Sequence, residues 1–235
     1  MTLPEQCPYL PGESEQKLFL RLEDDENPVF LNDFLTRAGF RRSQGIMYKP
    51  ACQDCNACVS ARVVTSEFQP SRTQRKVLRR NIDLERRVQP AIATYVQYRL
   101  LRTYLDARHT DSGMADMSYA EYQAMVEDTP VNTSMVEYWR KDDAGEEQLI
   151  AACLLDNLAD GPSMIYSFYA PGMENRSLGS FMVMMEVHHA NLQKLPYVYL
   201  GYWISNCDKM NYKTRFQPVE GLIDERWQRI TEFDD

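Results

Sequence analysis

The sequence predicts an α/β protein, a mixed sheet carrying helices, preceded by a smaller α+β segment that holds a cysteine loop. Three observations carry that prediction. After Pro70 the chain reads helix, helix, three strands, helix, strand, helix; turn-rich stretches separate the strands; and before Pro70 three cysteines fall within seven residues. With 235 residues, 44% hydrophobic and 26% charged, the chain can bury a real core as one large domain or two small ones. The boundary is placed near Pro70, giving an N-terminal cysteine-containing unit over 1–70 and a second unit over 71–235.

In the first unit a turn, Cys7-Pro8-Tyr9-Leu10-Pro11-Gly12, precedes a strand-like run over 17–22, a short helix over 31–38, the cysteine loop and a strand over 59–68. Beyond Pro70, Ser71 is an N-cap for a basic helix. A second helix spans about 90–108, with Tyr95, Tyr98, Leu101 and Leu105 on one stripe. Ser118-x-x-Glu121 is a capping box that opens a third, ahead of Tyr122, Met125 and Val126. Runs over 134–140, 148–158 and 163–169, separated by turns at 142–145 and 160–162, make an antiparallel meander. Arg176-Ser177-Leu178-Gly179 opens a helix to about 193, followed by a buried strand over 197–204, a short helix over 208–212 and a β-rich ending. This is the order of an acyl-CoA N-acetyltransferase-like domain, whose mixed sheet often splays to admit a donor group. Fold alone leaves the chemistry open.

The formal net charge is −8, so global electrostatics repel nucleic acid and any such binding needs a local basic patch. One lies between Ser71 and Val88, where Arg72, Arg75, Lys76, Arg79, Arg80, Arg86 and Arg87 face only Asp83 and Glu85. It reads either as a solvated helix face or as a nucleic-acid contact. The first twenty residues lack a basic stretch followed by an apolar one, and no window nears the roughly 18 apolar residues of a membrane span. The expected location is the cytosol.

Cys52-x-x-Cys55-x-x-Cys58 puts three thiols in one loop, with Cys7 a candidate fourth ligand; a zinc or iron–sulfur site and buried or redox-sensing thiols both fit. Cys153 and Cys207 sit in apolar contexts and read as core. Arg176-x-x-Gly179-x-Phe181 stands where an acetyltransferase holds the CoA pyrophosphate at a helix start. Phe181 is too large for the third small position, so Arg176 and the helix N-terminus suit a different anion, or Arg176 merely solvates the helix. If 212–216 is extended, Lys213 and Arg215 share one face and suit a carboxylate, or form a cationic edge strand. His109, His188 and His189 make no triad, and Asp156 and Asp160 flank a turn where Asp serves backbone geometry.

Four further runs, Cys7-Pro8-Tyr9-Leu10-Pro11, Gly39-Phe40-Arg41-Arg42-Ser43, Tyr48-x-Pro50-x-Cys52-x-x-Cys55-x-x-Cys58 and Pro70-Ser71-Arg72-x-Gln74-Arg75, together resemble the bacterial aspartate/glutamate leucyltransferases, relatives of the eukaryotic arginyl-tRNA–protein transferases. The resemblance continues through Asp111-Ser112-Gly113-Met114, Asp160-Gly161-x-Ser163, Tyr166-Ser167-Phe168-Tyr169-x-Pro171, Arg176-Ser177-Leu178-Gly179 and Leu200-Gly201-Tyr202-Trp203-Ile204, nearly the whole chain. It implies transfer of leucine from leucyl-tRNA to the N-terminal Asp or Glu of proteins, marking them for degradation, with no cofactor in the chemistry and with neither membrane nor DNA as partner. In the eukaryotic relatives an N-terminal Cys-x-x-Cys matters; here Leu10 stands where the partner of Cys7 would be. The expected roles are Tyr166, Ser167 and Tyr169 lining the cleft, Arg176, Lys213 and Arg215 on the acceptor carboxylate, Arg72, Arg75, Lys76, Arg79 and Arg80 on tRNA phosphates, and Cys7, Cys52, Cys55 and Cys58 as a structural or regulatory Zn or Fe–S site. Three alternatives stand beside this: an arginyl-tRNA donor, a CoA-dependent N-acetyltransferase, and a non-catalytic RNA-binding or redox-sensing cysteine-cluster protein.

Overall fold

The computed structural model describes residues 1–108, 113–142, 144–205 and 207–231. His109, Asp111 and Ser112 lie outside the described residues. The chain opens with short strands β1 (Glu5–Gln6) and β2 (Ser14–Glu15), then β3 (Lys17–Arg21), helix α1 (Pro28–Arg37), β4 (Arg41–Ser43) and β5 (Ile46–Pro50). Strands β3, β5 and β4 form a small antiparallel sheet. Asn27 starts α1 by accepting from the Phe30 N–H, with Pro28 beside it in the first turn. Leu22, Leu35, Phe40 and Met47 fill the core of this part.

After the cysteine loop come β6 (Val59–Val64), α2 (Arg72–Arg80), β7 (Glu85–Pro90), α3 (Tyr95–Arg108), α4 (Tyr119–Glu127), β8 (Thr133–Lys141), β9 (Glu147–Leu158), β10 (Gly161–Tyr169), α5 (Leu178–Leu192), β11 (Tyr197–Trp203), α6 (Asp208–Asn211), β12 (Val219–Ile223) and β13 (Arg226–Ile230). Eight strands form one sheet in the order β13-β12-β6-β11-β10-β9-β8-β7. The meander β8-β9-β10 is antiparallel as expected, and β10 with β11 is a parallel pair. Strand β6, which precedes Pro70, is interior to this large sheet, between β12 and β11.

Alternation along the strands builds two cores. Ala151, Cys153 and Leu155 of β9 face α5, whereas Ala152 and Leu154 face α3 and α4, where Leu101, Leu105 and Tyr122 are buried. Both capping boxes close: Ser71 with Gln74 opens α2, and Ser118 with Glu121 opens α4. No helix among the described residues is long and apolar enough to cross a membrane.

Four local expectations are corrected. The basic run does not extend to Val88: α2 stops at Asn81, whose amide donates to Val77 O and Arg176 O, and residues 85–90 form an edge strand. Its charges disguise it, because Arg86 turns inward to Glu186 and Arg87 pairs with Glu85 and Glu147. The helix expected from residue 90 therefore starts only at Tyr95, where Thr94 and Gln97 cap each other's backbone N–H. Residues 212–215 are a 3-10 turn rather than a strand, so Lys213 and Arg215 do not share a face. Asp156 does more than shape a turn: it is buried and accepts two bonds of 2.6 Å from Arg42 and one of 2.9 Å from Thr133.

Candidate active site

Strands β10 and β11 pair at Ser163 and Tyr199 and then part. A register shift in β10 between Met164 and Tyr166, and another in β11 between Tyr199 and Gly201, bend the two strands at that point. Into the gap opens a cavity of about 690 Å³ lined by Arg41, Tyr104, Arg108, Met164, Ile165, Tyr166, Ser167, Tyr169, Gly179, Ser180, Val183, Leu200, Tyr212 and Lys213. Sequence reasoning named four of these as site residues: Tyr166, Ser167, Tyr169 and Lys213.

Its polar groups are cationic or neutral. Arg41, Arg108 and Lys213 line it, and among the described residues no carboxylate or histidine does. Burial pushes the Tyr166 hydroxyl up to about 12 and also raises that of Tyr104, so both phenols stay protonated at neutral pH. The Tyr104 and Tyr169 rings meet at 5.0 Å, and the Arg108 guanidinium lies 5.2 Å from the Tyr169 ring centre, so one rim is a stiff aromatic wall.

At the opposite rim α5 begins. Ser177 is left-handed, at φ 50°, and its side chain caps nothing, so the first-turn N–H groups around Gly179 and Ser180 have no partner within the helix and carry its positive end. Gly179 lets the turn approach Tyr169: a Cβ there would sit 3.5 Å from that ring. Phe181 turns the other way, packing edge-on against Tyr138 in the core with centroids 5.3 Å apart, so it neither lines nor obstructs the cavity.

Arg41 closes the floor. It leaves β4 of the small sheet and donates from Nη2 to Met164 O at 2.9 Å and Ile165 O at 3.4 Å, carbonyls freed by the bulge in β10. Its guanidinium lies against Gly201, where a Cβ would come within 2.6 Å of it and where φ is +77°. Lys213 is 7% exposed and donates from Nζ to Tyr202 O. Burial first, and then Arg41, bring its ammonium down to about 7.

The other expected residues lie elsewhere. Arg176 forms two bonds to Asp83, at 2.9 and 2.7 Å, and that pairing holds the Asp83 carboxyl below the usual carboxylate range. Arg215 is exposed, and its carbonyl accepts from Gln74 of α2. Arg72, Arg75, Lys76, Arg79 and Arg80 all lie exposed on α2 and enter no ion pair among the described residues. Both ends of α2 are tied to segments that flank the cavity, through Gln74 to Arg215 and through Asn81 to Arg176.

Cys7, Cys52, Cys55 and Cys58 are half-buried neighbours; burial and the other three thiols push Cys58 up to about 11. Sγ of Cys7 accepts from Leu10 N–H and Sγ of Cys52 from Gln16 N–H. As arranged, no three His, Cys, Asp or Glu side chains among the described residues are placed to hold one metal ion. Cys153 and Cys207 are buried in the core.

A mixed sheet that parts between two parallel strands, with a long helix starting at the gap, is the architecture of the N-acetyltransferase-like fold class. The same fold appears in the structure of L-PGS from Bacillus licheniformis, with a TM-score of 0.51 and 13% identity over 70% of this chain and 58% of that one. Family models narrow the class: "Arginine-tRNA-protein transferase, N terminus" matches residues 5–76 and "Arginine-tRNA-protein transferase, C terminus" matches residues 96–223. The chain belongs to the arginine-tRNA–protein transferase family. An aspartate/glutamate leucyltransferase of Parvibaculum lavamentivorans is 57% identical over 97% of this chain and 92% of its own length. Another, from Afipia carboxidovorans, is 52% identical over 98% and 92%.

Sequence reasoning missed Arg41, Tyr104, Arg108, Ser180, Leu200 and Tyr212. Only Arg41 carried a signal, as one of two adjacent arginines on a strand, which period two sends in opposite directions. The others come together only through the packing of α3, α5 and the 212–215 turn on the sheet.

Proposed function

We propose that this protein transfers leucine from leucyl-tRNA to the N-terminal Asp or Glu of other proteins, in the cytoplasm, so marking them for degradation. The observation that carries the choice of donor is the cavity lining. Met164, Ile165, Val183 and Leu200 offer an apolar wall, and among the described lining residues an arginyl side chain would find no carboxylate to pair with. The full-length similarity to proteins named aspartate/glutamate leucyltransferase supports the same reading.

The chemistry asks little of the residues. The acceptor α-amine attacks the ester carbonyl, the C–N bond forms, the C–O bond to the ribose breaks, and the amine's proton ends on the ribose hydroxyl. An α-amine has a pKa near 7.7–8.0, so about a tenth is already neutral at pH 7. Holding the two reactants in attack geometry and stabilising the oxyanion supply most of the rate. Neutral Tyr166 and Ser167 hydroxyls and the free N–H groups opening α5 are donors suited to that oxyanion, and Tyr169 shapes the wall. The exposed α2 cations, Arg72, Arg75, Lys76, Arg79 and Arg80, meet tRNA phosphates, with Arg215 beside them. Arg176, held by Asp83, and Arg215 serve the acceptor carboxylate less directly than Lys213. No cofactor takes part, and a zinc ion or iron–sulfur cluster at the four N-terminal cysteines would be structural or regulatory.

The test mixes the purified protein with tRNA charged with radiolabelled leucine or arginine and with peptides starting in Asp, Glu or Ala. Label from leucyl-tRNA on the Asp and Glu peptides alone is the expected result. Label from arginyl-tRNA would keep the family and overturn the donor.

A further inference from the structure

We infer that Arg41 and Lys213 together bind the side-chain carboxylate of the acceptor's N-terminal residue. The inference rests on the transferase reading above and deepens it by naming the group that selects acidic acceptors. Among the described residues the cavity holds three cations and no carboxylate, in a chain whose net charge is −8. Of the three, Arg108 is already placed over the Tyr169 ring and within 4.0 Å of Glu174. Arg41 and Lys213 enter no ion pair among the described residues.

Arg41 is the more telling of the two. Its Nη2 is occupied by two backbone carbonyls, but its Nη1 is buried with no hydrogen-bond partner among the described residues. A buried guanidinium donor left empty is costly, and cavity-lining groups of this kind are satisfied by what the cavity binds. Lys213 adds a second positive charge, held in place by its bond to Tyr202 O. A carboxylate seated between them would accept from Nη1 of Arg41 and from Nζ of Lys213, converting two mutually repelling cations, Lys213 buried and Arg41 half-buried, into a compensated cluster. An uncharged amide in the same place would satisfy one donor and leave a net positive charge buried. That asymmetry is what discriminates Asp from Asn and Glu from Gln at an acceptor's N-terminus.

Leucine transfer to peptides starting with Asp, Glu, Asn or Gln is measured for the wild type, Lys213→Met, Arg41→Lys and Arg41→Gln. The wild type is expected to prefer Asp over Asn strongly. Lys213→Met, which leaves both Arg41–carbonyl bonds intact, and Arg41→Lys, which keeps the charge and loses the fork, should each raise KM for the Asp peptide by about 100-fold. The Asp-to-Asn preference should collapse, while leucyl-tRNA binding in a filter assay stays as in the wild type. Arg41→Gln should be the most severe if it folds, as its melting curve will show; the other two variants carry the test if it does not. A fall in kcat equal for Asp and Asn peptides, with the preference kept, would assign the pair to the reacting centre and overturn the inference. A wild type inactive with every peptide and both charged tRNAs would overturn the transferase reading, and the inference with it.

Discussion

Lys213 illustrates what a single side chain costs when its site is incomplete. Its ammonium, brought down to about 7 in the folded protein from an ordinary 10.5, costs the folded protein stability wherever the folded state has to carry that charge. Between about pH 7 and 10.5 the unfolded chain binds that proton and the folded one does not, so this group's contribution becomes less unfavourable as pH rises. Below pH 7 both states are charged and the folded protein bears the whole cost. Lys213→Met should therefore stabilise the protein by about 2 kcal/mol at pH 6, after the lost bond to Tyr202 is counted, with the gain shrinking toward pH 10. Urea melts of both proteins across that range check it; a gain that grows with pH would contradict the assignment.

Helix α2 shows how an element can be basic for two reasons at once. Gln74 and Val77 are buried and dock it on the molecule, while Arg72, Arg75, Lys76, Arg79 and Arg80 occupy its solvent face. Its last-turn arginines, Arg79 and Arg80, also suit the helix's negative end, but the unpaired stripe far exceeds what the dipole needs. Reversing two charges, Arg75→Glu with Arg79→Glu, should weaken leucyl-tRNA binding at least tenfold at low salt and flatten the dependence of log K on log salt by roughly two contacts' worth. The fold should survive, since neither side chain is buried. A filter-binding titration at several salt concentrations decides it, and an unchanged slope would remove α2 from the tRNA surface.

At the scale of the whole molecule, the small N-terminal sheet and the large sheet are fastened by buried polar groups. Arg42 and Asp156 form a bidentate pair in which each side chain is 1% exposed, joining β4 to β9. Tyr202 donates toward Gly39 O and Tyr48 O, and Ala159 N–H donates to Asp33. The junction holds Arg41 on the cavity floor, so its integrity bears on the site as well as on stability. Asp156→Asn should cost about 3–5 kcal/mol by leaving Arg42 uncompensated, and replacing both partners with apolar residues should cost less than that single change. Thermal melts of the single and double variants test this, and a double variant less stable than Asp156→Asn would contradict it.

Much of this protein was legible in its sequence where short-range physics acts alone. The N-cap at Ser71, the capping box at Ser118, the meander of β8, β9 and β10, and the apolar strand β11 follow from spacing and alternation, which operate within a few residues. Motifs such as Tyr166-Ser167-Phe168-Tyr169 carried the family by resemblance instead. Charged residues in strand β7 concealed its pattern, because the partners that neutralise Arg86 and Arg87 lie on α5 and β9. Lys213 and Arg215 could be paired on paper only by assuming an extended backbone. What the tertiary structure alone decided is which cations are spent and which are free: Arg176 on Asp83, Arg42 on Asp156, and Arg41 left with an empty donor beside Lys213. Charge compensation is set by distance in space, and residues as far apart as β4 and the 212–215 turn meet only after the sheet has formed.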